Sequence, residues 1–272
     1  MKKNKVLVLF GPPKTATTSL QVVLDKYKDS DLTYLGISQP RASYFEIISN
    51  PNNYIAETLY LYCSKPDQQN ISNANKLLSK MRNESQSVYI LSEEMFLVNS
   101  QFFGEEWQDK IRRLKDLLSD FDLIPMIALR DPIYASNSFY KEMYASLPRI
   151  YKYLPFLFDI SNYCTIYNYH YLLTVLHRIG FDKVRIYTFT KLCSSKYTYR
   201  QLFGGDNVNE IHLPKLNRTD LQSRKPLAFA LFNYISAIFL SRKQKYFLKL
   251  ENILERSDQI EFSIRQLLNS LD

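Results

Sequence analysis

The chain has 272 residues, 46% of them hydrophobic, and a formal net charge of +8 at pH 7. That length and apolar content exclude wholesale disorder and suit one domain over residues 1–272; the basic balance suits a polyanionic ligand, and without a recognition motif no nucleic-acid partner is expected. Cys63, Cys164 and Cys193 are odd in number and widely spaced, which excludes a disulfide framework and a cysteine-held metal knuckle.

The N-terminal MKKNKVLVLF has only five continuous apolar residues, Val6 to Phe10, before Gly11. That run is too short for a signal-peptide core or a membrane anchor, so the chain is expected to be cytoplasmic. It suits a buried parallel strand instead, and Gly11, Pro12 and Pro13 forbid its continuation. Thr15, Ala16, Thr17, Thr18 and Ser19 then lead into Leu20, Val22, Val23 and Leu24, spaced for one buried helix face. Strand, loop and helix start together bring free backbone N–H groups, hydroxyls and Lys14 to where an anion would sit. A Walker loop would put its lysine six residues after the first glycine, which here is Thr17. Lys14 comes three residues after Gly11, before the helix.

LTYLG, residues 32–36, reads as a short strand. Residues 44–83 read as a tyrosine- and asparagine-rich helical insertion broken by Pro51 and Pro66, on the acceptor side. Val88 to Leu91 form another apolar run, with Ser92, Glu93 and Glu94 at its end, and a helix is expected from about Glu105 to Asp120. LIPMIAL, residues 123–129, is a further strand and ends directly in Arg130, Asp131 and Pro132, after which IYASNSFYKEMY has helical spacing. A helix over Phe156 to Arg178 should stop at Gly180 and lead into the strand VRIYTF, residues 184–189. Residues 221–272 read as a helical C-terminal region. Within it, 227–240 followed by the basic run to 249 suits a packing helix, a dimer face or a peripheral contact with anionic lipid. His170, His177 and His212 have no cysteine or carboxylate at ligand spacing, so no zinc site is expected.

Two of these segments carry a family resemblance. PKTATTSL, residues 13–20, resembles the phosphosulfate-binding loop of the sulfotransferases, and LRDP followed by Ser138, eight residues after Arg130, resembles their 3′-phosphate element. The resemblance spans about residues 5–145 and implies an α/β fold: a P-loop-like central parallel sheet flanked by helices. It implies sulfuryl transfer from 3′-phosphoadenosine 5′-phosphosulfate to an acceptor hydroxyl, with a carbohydrate or glycolipid as the first candidate acceptor and no metal required. On this implication Lys14 meets the bridging oxygen of the donor. Thr15, Ala16, Thr17, Thr18 and Ser19 hold the 5′-phosphate, Arg130 and Ser138 the 3′-phosphate, and Glu93 rather than Glu94 takes the acceptor proton. Thr190 departs from the acidic residue that relatives often carry there, and Lys215, Asn217 and Arg218 are candidates for closing over the nucleotide. The alternatives are an ATP-dependent phosphotransferase and a non-catalytic nucleotide-binding module.

Overall fold

A computed structural model of the chain describes residues 4–27, 32–38, 50–83, 88–99, 106–153, 161, 164–214, 241–257 and 259–272. The expected α/β class is observed: a six-stranded, mostly parallel sheet flanked by helices. Its strands are β1 (Lys5–Leu9), β2 (Leu32–Tyr34), β3 (Val88–Ser92), β4 (Asp122–Leu129), β5 (Lys183–Thr188) and β6 (Glu261–Ser263), in the spatial order β2-β3-β1-β4-β5-β6. Leu9 of β1 is in register with Ser92 of β3 and Met126 of β4, and Leu129 with Thr188 of β5. The polar residues after β1, β3, β4 and β5 therefore all emerge at one edge of the sheet.

Continuous apolar strands follow from burial on both faces. Val6, Val8 and Phe10 enter one core, Leu7 and Leu9 the other. Helix α1 (Thr17–Lys26) covers the second core with Leu20, Val22, Val23 and Leu24. The first core takes α2 (Asn53–Ser64), α3 (Gln68–Asn83), α4 (Trp107–Leu117) and α5 (Pro132–Met143). Beyond α5 the chain forms α6 (Arg149–Tyr153), α7 (Tyr169–Ile179), α8 (Phe189–Cys193) and α9 (Tyr199–Phe203). It closes with α10 (Ser241–Glu255) and α11 (Ile264–Leu271).

The described part of the segment read as an acceptor-side insertion turns largely inward. Ile55, Ala56, Leu59 and Tyr60 of α2, and Ala74, Leu77, Leu78 and Met81 of α3, are buried in the main core. Its residues 44–49 lie outside the described residues. The helix expected from Phe156 starts later, at Tyr169, because Asn168 caps it: its Oδ1 accepts from Tyr171 N at 3.2 Å, after a 3₁₀ turn over Thr165–Tyr167. Residues 156–160, 162 and 163 of the expected helix lie outside the described residues, as do 221–240. Gly180 ends α7 at φ 94°, the left-handed value that favours glycine.

Two expectations are corrected. The sheet is mixed rather than wholly parallel, because β6 runs antiparallel to β5, and the C-terminal region is not purely helical, because it supplies that strand. A three-residue strand carries no periodicity, so only its partners define it: Arg185 Nε donates to Glu261 Oε2 at 3.0 Å, and Lys183 Nζ lies 3.6 Å from Oε1. These cations hold the Glu261 carboxyl below its ordinary range against the opposing effect of burial. A lowered folded-state pKa gives stability that is present above the unfolded value and lost as pH falls through the folded one. Glu261→Gln should therefore lower Tm at pH 7 and have a vanishing effect in acid below the carboxylate range, read by thermal melts across pH; an equal drop at both ends would refute the pairing.

Among the described residues no helix is long and apolar enough to cross a membrane. Cys63 and Cys164 are buried, Cys193 is exposed, and all three are free thiols.

Candidate functional site

Strand order decides where the polar loops meet. The chain leaves β1 into α1 on one face and leaves β4 into α5 on the other, although β1 and β4 are neighbours. Such a switch point opens a crevice at the carboxyl ends of the two strands, the usual ligand position in open α/β sheets. Here its two walls are the Gly11–Ala16 loop and Arg130–Asp131.

The loop is held in an uncommon backbone shape. Lys14 and Ala16 are left-handed, at φ 69° and 64°. Left-handed residues alternating with right-handed ones are the backbone pattern of anion-binding nests, and Lys14 and Ala16 supply two such left-handed positions. Side chains with a Cβ resist such values, so the loop must be held from outside. Thr15 Oγ1 donates to Pro12 O at 2.7 Å, Tyr167 Oη donates to Pro13 O at 2.8 Å, and the Arg130 guanidinium donates to Lys14 O. Gly11 is required by close approach: a Cβ there would come within 2.0 Å of Thr17 Cγ2. Ala16 caps α1 without a side-chain hydrogen bond, and the N–H groups of Thr17, Thr18 and Ser19 have no acceptor among the described residues. Lys14, Ala16, Thr18 and Ser19 are half-buried, while Thr15 and Thr17 are buried.

Arg130 is half-buried against the back of this loop. Its guanidinium lies 4.4 Å from the Phe189 ring centroid, and burial pulls its pKa down. Tyr169 fixes the backbone there, accepting from Arg130 N at 2.9 Å and donating to Arg130 O at 2.8 Å. Asp131 caps α5, accepting from Ile133 N at 2.8 Å, with Pro132 at the first helical position. Ser138 is half-buried on α5, one turn before Glu142 on the same face. Glu142 Oε2 pairs with Lys14 Nζ at 2.8 Å, so that face looks onto the loop.

The two glutamates after β3 have different surroundings. Glu93 is buried, and both its oxygens are occupied. Oε2 accepts from Ser38 N at 2.9 Å and Ser38 Oγ at 2.7 Å, and Oε1 accepts from Met95 N at 2.9 Å. Burial pushes its carboxyl up, and these hydrogen bonds pull it back part of the way. Glu94, half-buried, instead faces the loop: its Oε2 accepts from Thr17 Oγ1 at 3.0 Å. The turn carrying it is held by Lys110, fully buried on α4, whose Nζ donates to Met95 O at 2.5 Å and to Val98 O. Gln21 of α1 adds a tie to Ser92, at 3.2 Å to both its O and Oγ.

Of the residues singled out in the sequence, Lys14, Thr15, Ala16, Thr17, Thr18, Ser19, Arg130 and Ser138 thus gather around one crevice. Lys215, Asn217 and Arg218 lie outside the described residues. Thr190 sits in α8, and its carbonyl accepts from Ser194 Oγ at 2.9 Å. The histidines engage elsewhere: His170 Nε2 meets Asp272 Oδ1 at 3.3 Å, and His212 Nδ1 meets Ser195 Oγ at 2.9 Å. Sequence reasoning missed Glu142, Tyr167, Tyr169 and Lys110, whose local patterns read as ordinary helix faces. Phe189 had a signal, since it directly follows β5 at the same sheet edge. A cleft of about 460 Å³ lies at the opposite end of β4 and β5, lined by Lys115, Asp122, Phe181 and Lys183 among others, and includes none of these residues.

Comparison with models of protein families, with curated proteins and with solved structures finds no match to this chain.

Proposed function

We propose that the protein is a sulfotransferase, with a P-loop-like fold, that moves a sulfuryl group from 3′-phosphoadenosine 5′-phosphosulfate to an acceptor hydroxyl, foremost on a carbohydrate or glycolipid. The observation that carries this reading is the switch-point crevice. There the PKTATTSL loop and the RDP helix start form opposite walls, joined by the Arg130 to Lys14 carbonyl bond. The sheet order and the left-handed loop are compatible with that fold and with a bound 5′-phosphate.

In this reading the loop amides, the Thr17 N–H and the hydroxyls of Thr18 and Ser19 hold the 5′-phosphate at the start of α1, while the Thr17 hydroxyl donates to Glu94. Arg130 and Ser138 hold the 3′-phosphate. Lys14 offers its ammonium to the oxygen bridging phosphorus and sulfur, where negative charge gathers as the S–O bond breaks. The electron pair stays on that phosphate oxygen while the acceptor oxygen bonds to sulfur from the opposite side. Glu94 takes the proton the acceptor hydroxyl loses, a role that geometry favours for it over Glu93, whose oxygens already accept three hydrogen bonds. Lysine and helix dipole supply the positive potential, so the reading needs no metal.

The Thr17 to Glu94 pair favours a second reading. A hydroxyl in the first turn after a phosphate loop, beside a carboxylate at a neighbouring strand end, is also how ATP-using phosphotransferases hold magnesium. A cation there would need the nucleotide's own phosphate oxygens, because among the described residues no group of three His, Cys, Asp or Glu could hold a metal. Thermal shift separates the readings. A ligand at 100 times its Kd adds about 2.7 kcal/mol of stability. 3′-Phosphoadenosine 5′-phosphate should raise Tm more than ATP or ADP at equal concentration, with or without magnesium. A larger shift by magnesium-ATP would replace the first reading by the second.

A further inference from the structure

Lys14 is not simply a cation at the mouth of a loop. Its ammonium already has an anion, Glu142 Oε2 at 2.8 Å, and the two side chains are 20% and 32% exposed. The pair is half-buried, so water and salt screen it less than an ion pair on open surface. Glu142 stands in the last turn of α5, the helix whose start carries Arg130 and Asp131 and whose middle carries Ser138. One rigid helix therefore presents both the cationic wall of the crevice and the counter-anion of Lys14. The lysine backbone is itself left-handed and held through its carbonyl by Arg130, so the side chain leaves the loop in a direction set by the fold.

We infer that Glu142 is a positioning residue for Lys14: it holds the ammonium at the crevice mouth and is the internal anion that any anionic ligand of the loop must displace. The physical ground is competition. An ammonium has three donors but a single charge, and a phosphate or phosphosulfate oxygen reaching Nζ gains charge-assisted bonding only by weakening the existing pair. Glu142 thus lowers the affinity of the site and keeps Lys14 oriented until a ligand arrives. The displaced carboxylate stays next to the incoming anion, on the same helix face as Ser138, and repels it. The inference rests on the proposed function only in that Lys14 meets the ligand's anion.

The test is calorimetric titration of the full chain with 3′-phosphoadenosine 5′-phosphate, using wild type, Glu142→Gln, Glu142→Asp, Lys14→Met and the double variant Lys14→Met with Glu142→Gln. Glu142→Gln should bind about threefold to tenfold more tightly, the range from an exposed to a half-buried ion pair. A residue with a merely structural role would give weaker binding instead. Glu142→Asp keeps the charge but is one methylene too short to hold Nζ, so it should also bind more tightly. In the Lys14→Met background the gain from Glu142→Gln should shrink to what relief of the carboxylate–anion repulsion alone leaves. Unchanged or weaker binding by Glu142→Gln, wild-type affinity in Glu142→Asp, or an undiminished gain without Lys14 would each overturn the inference. Should wild type bind ATP and not the bisphosphate, the sulfotransferase reading fails on its own, and the same five proteins titrated with ATP decide the role of Glu142.

Discussion

Glu94→Gln is expected to keep nucleotide affinity while lowering the transfer rate by about 10² to 10⁴, the usual contribution of a general base. Glutamine preserves size and can still accept from Thr17 Oγ1, but it cannot take a proton at neutral pH. The measurement is single-turnover transfer to an acceptor found by screening sugar and phenol hydroxyls, with bisphosphate affinity as the control. Glu93→Gln should behave differently. Its carboxylate accepts from Ser38 N, Ser38 Oγ and Met95 N, and an amide offers one acceptor oxygen and turns an NH₂ toward the remaining donors. A buried donor left without its acceptor costs about 1 to 3 kcal/mol, so Glu93→Gln should lower Tm clearly. A stable, inactive Glu93→Gln beside an active Glu94→Gln would reverse the two roles.

Arg130→Ala should weaken 3′-phosphoadenosine 5′-phosphate by roughly 2 to 5 kcal/mol, because it leaves a desolvated phosphate without its charged partner. The discriminating quantity is selectivity. Adenosine 5′-phosphosulfate lacks the 3′ group and should lose much less. Some loss is expected for both ligands, since the guanidinium also holds the Lys14 carbonyl and lies over Phe189. Arg130→Lys separates these contributions, because it keeps a charge but lacks the planar fork that stacks and binds in two directions. Equal losses for the two nucleotides in Arg130→Ala would make Arg130 a support for the loop alone.

What could be read along the chain is what near neighbours decide. Five of the six strands announce themselves as apolar runs or short hydrophobic stretches. The turn after β1 is dictated by Gly11, Pro12 and Pro13, the start of α5 by Asp131 and Pro132, and the end of α7 by Gly180. Each of these depends on residues within a turn of one another, so the α/β class and the two phosphate-loop candidates are legible in the sequence without any long-range contact.

Contacts between distant residues were beyond it. The Arg130 to Lys14 carbonyl bond joins residues 116 apart, and the Thr17 to Glu94 bond residues 77 apart. Both exist because β1 lies between β3 and β4, and no local pattern specifies that order. The different surroundings of Glu93 and Glu94 depend on distant partners as well. Glu93 is the extended cap of the 3₁₀ turn Glu94–Leu97 and goes inward to Ser38, whereas Glu94 opens that turn and faces Thr17 of α1. Glu142 looked like one more charge on a helix until the loop brought Lys14 beside it. β6 is too short to carry a period and is defined by Arg185 and Lys183 across the sheet edge. Short-range sterics and burial wrote the elements into the chain, and the packing order of the sheet alone decided which charges meet.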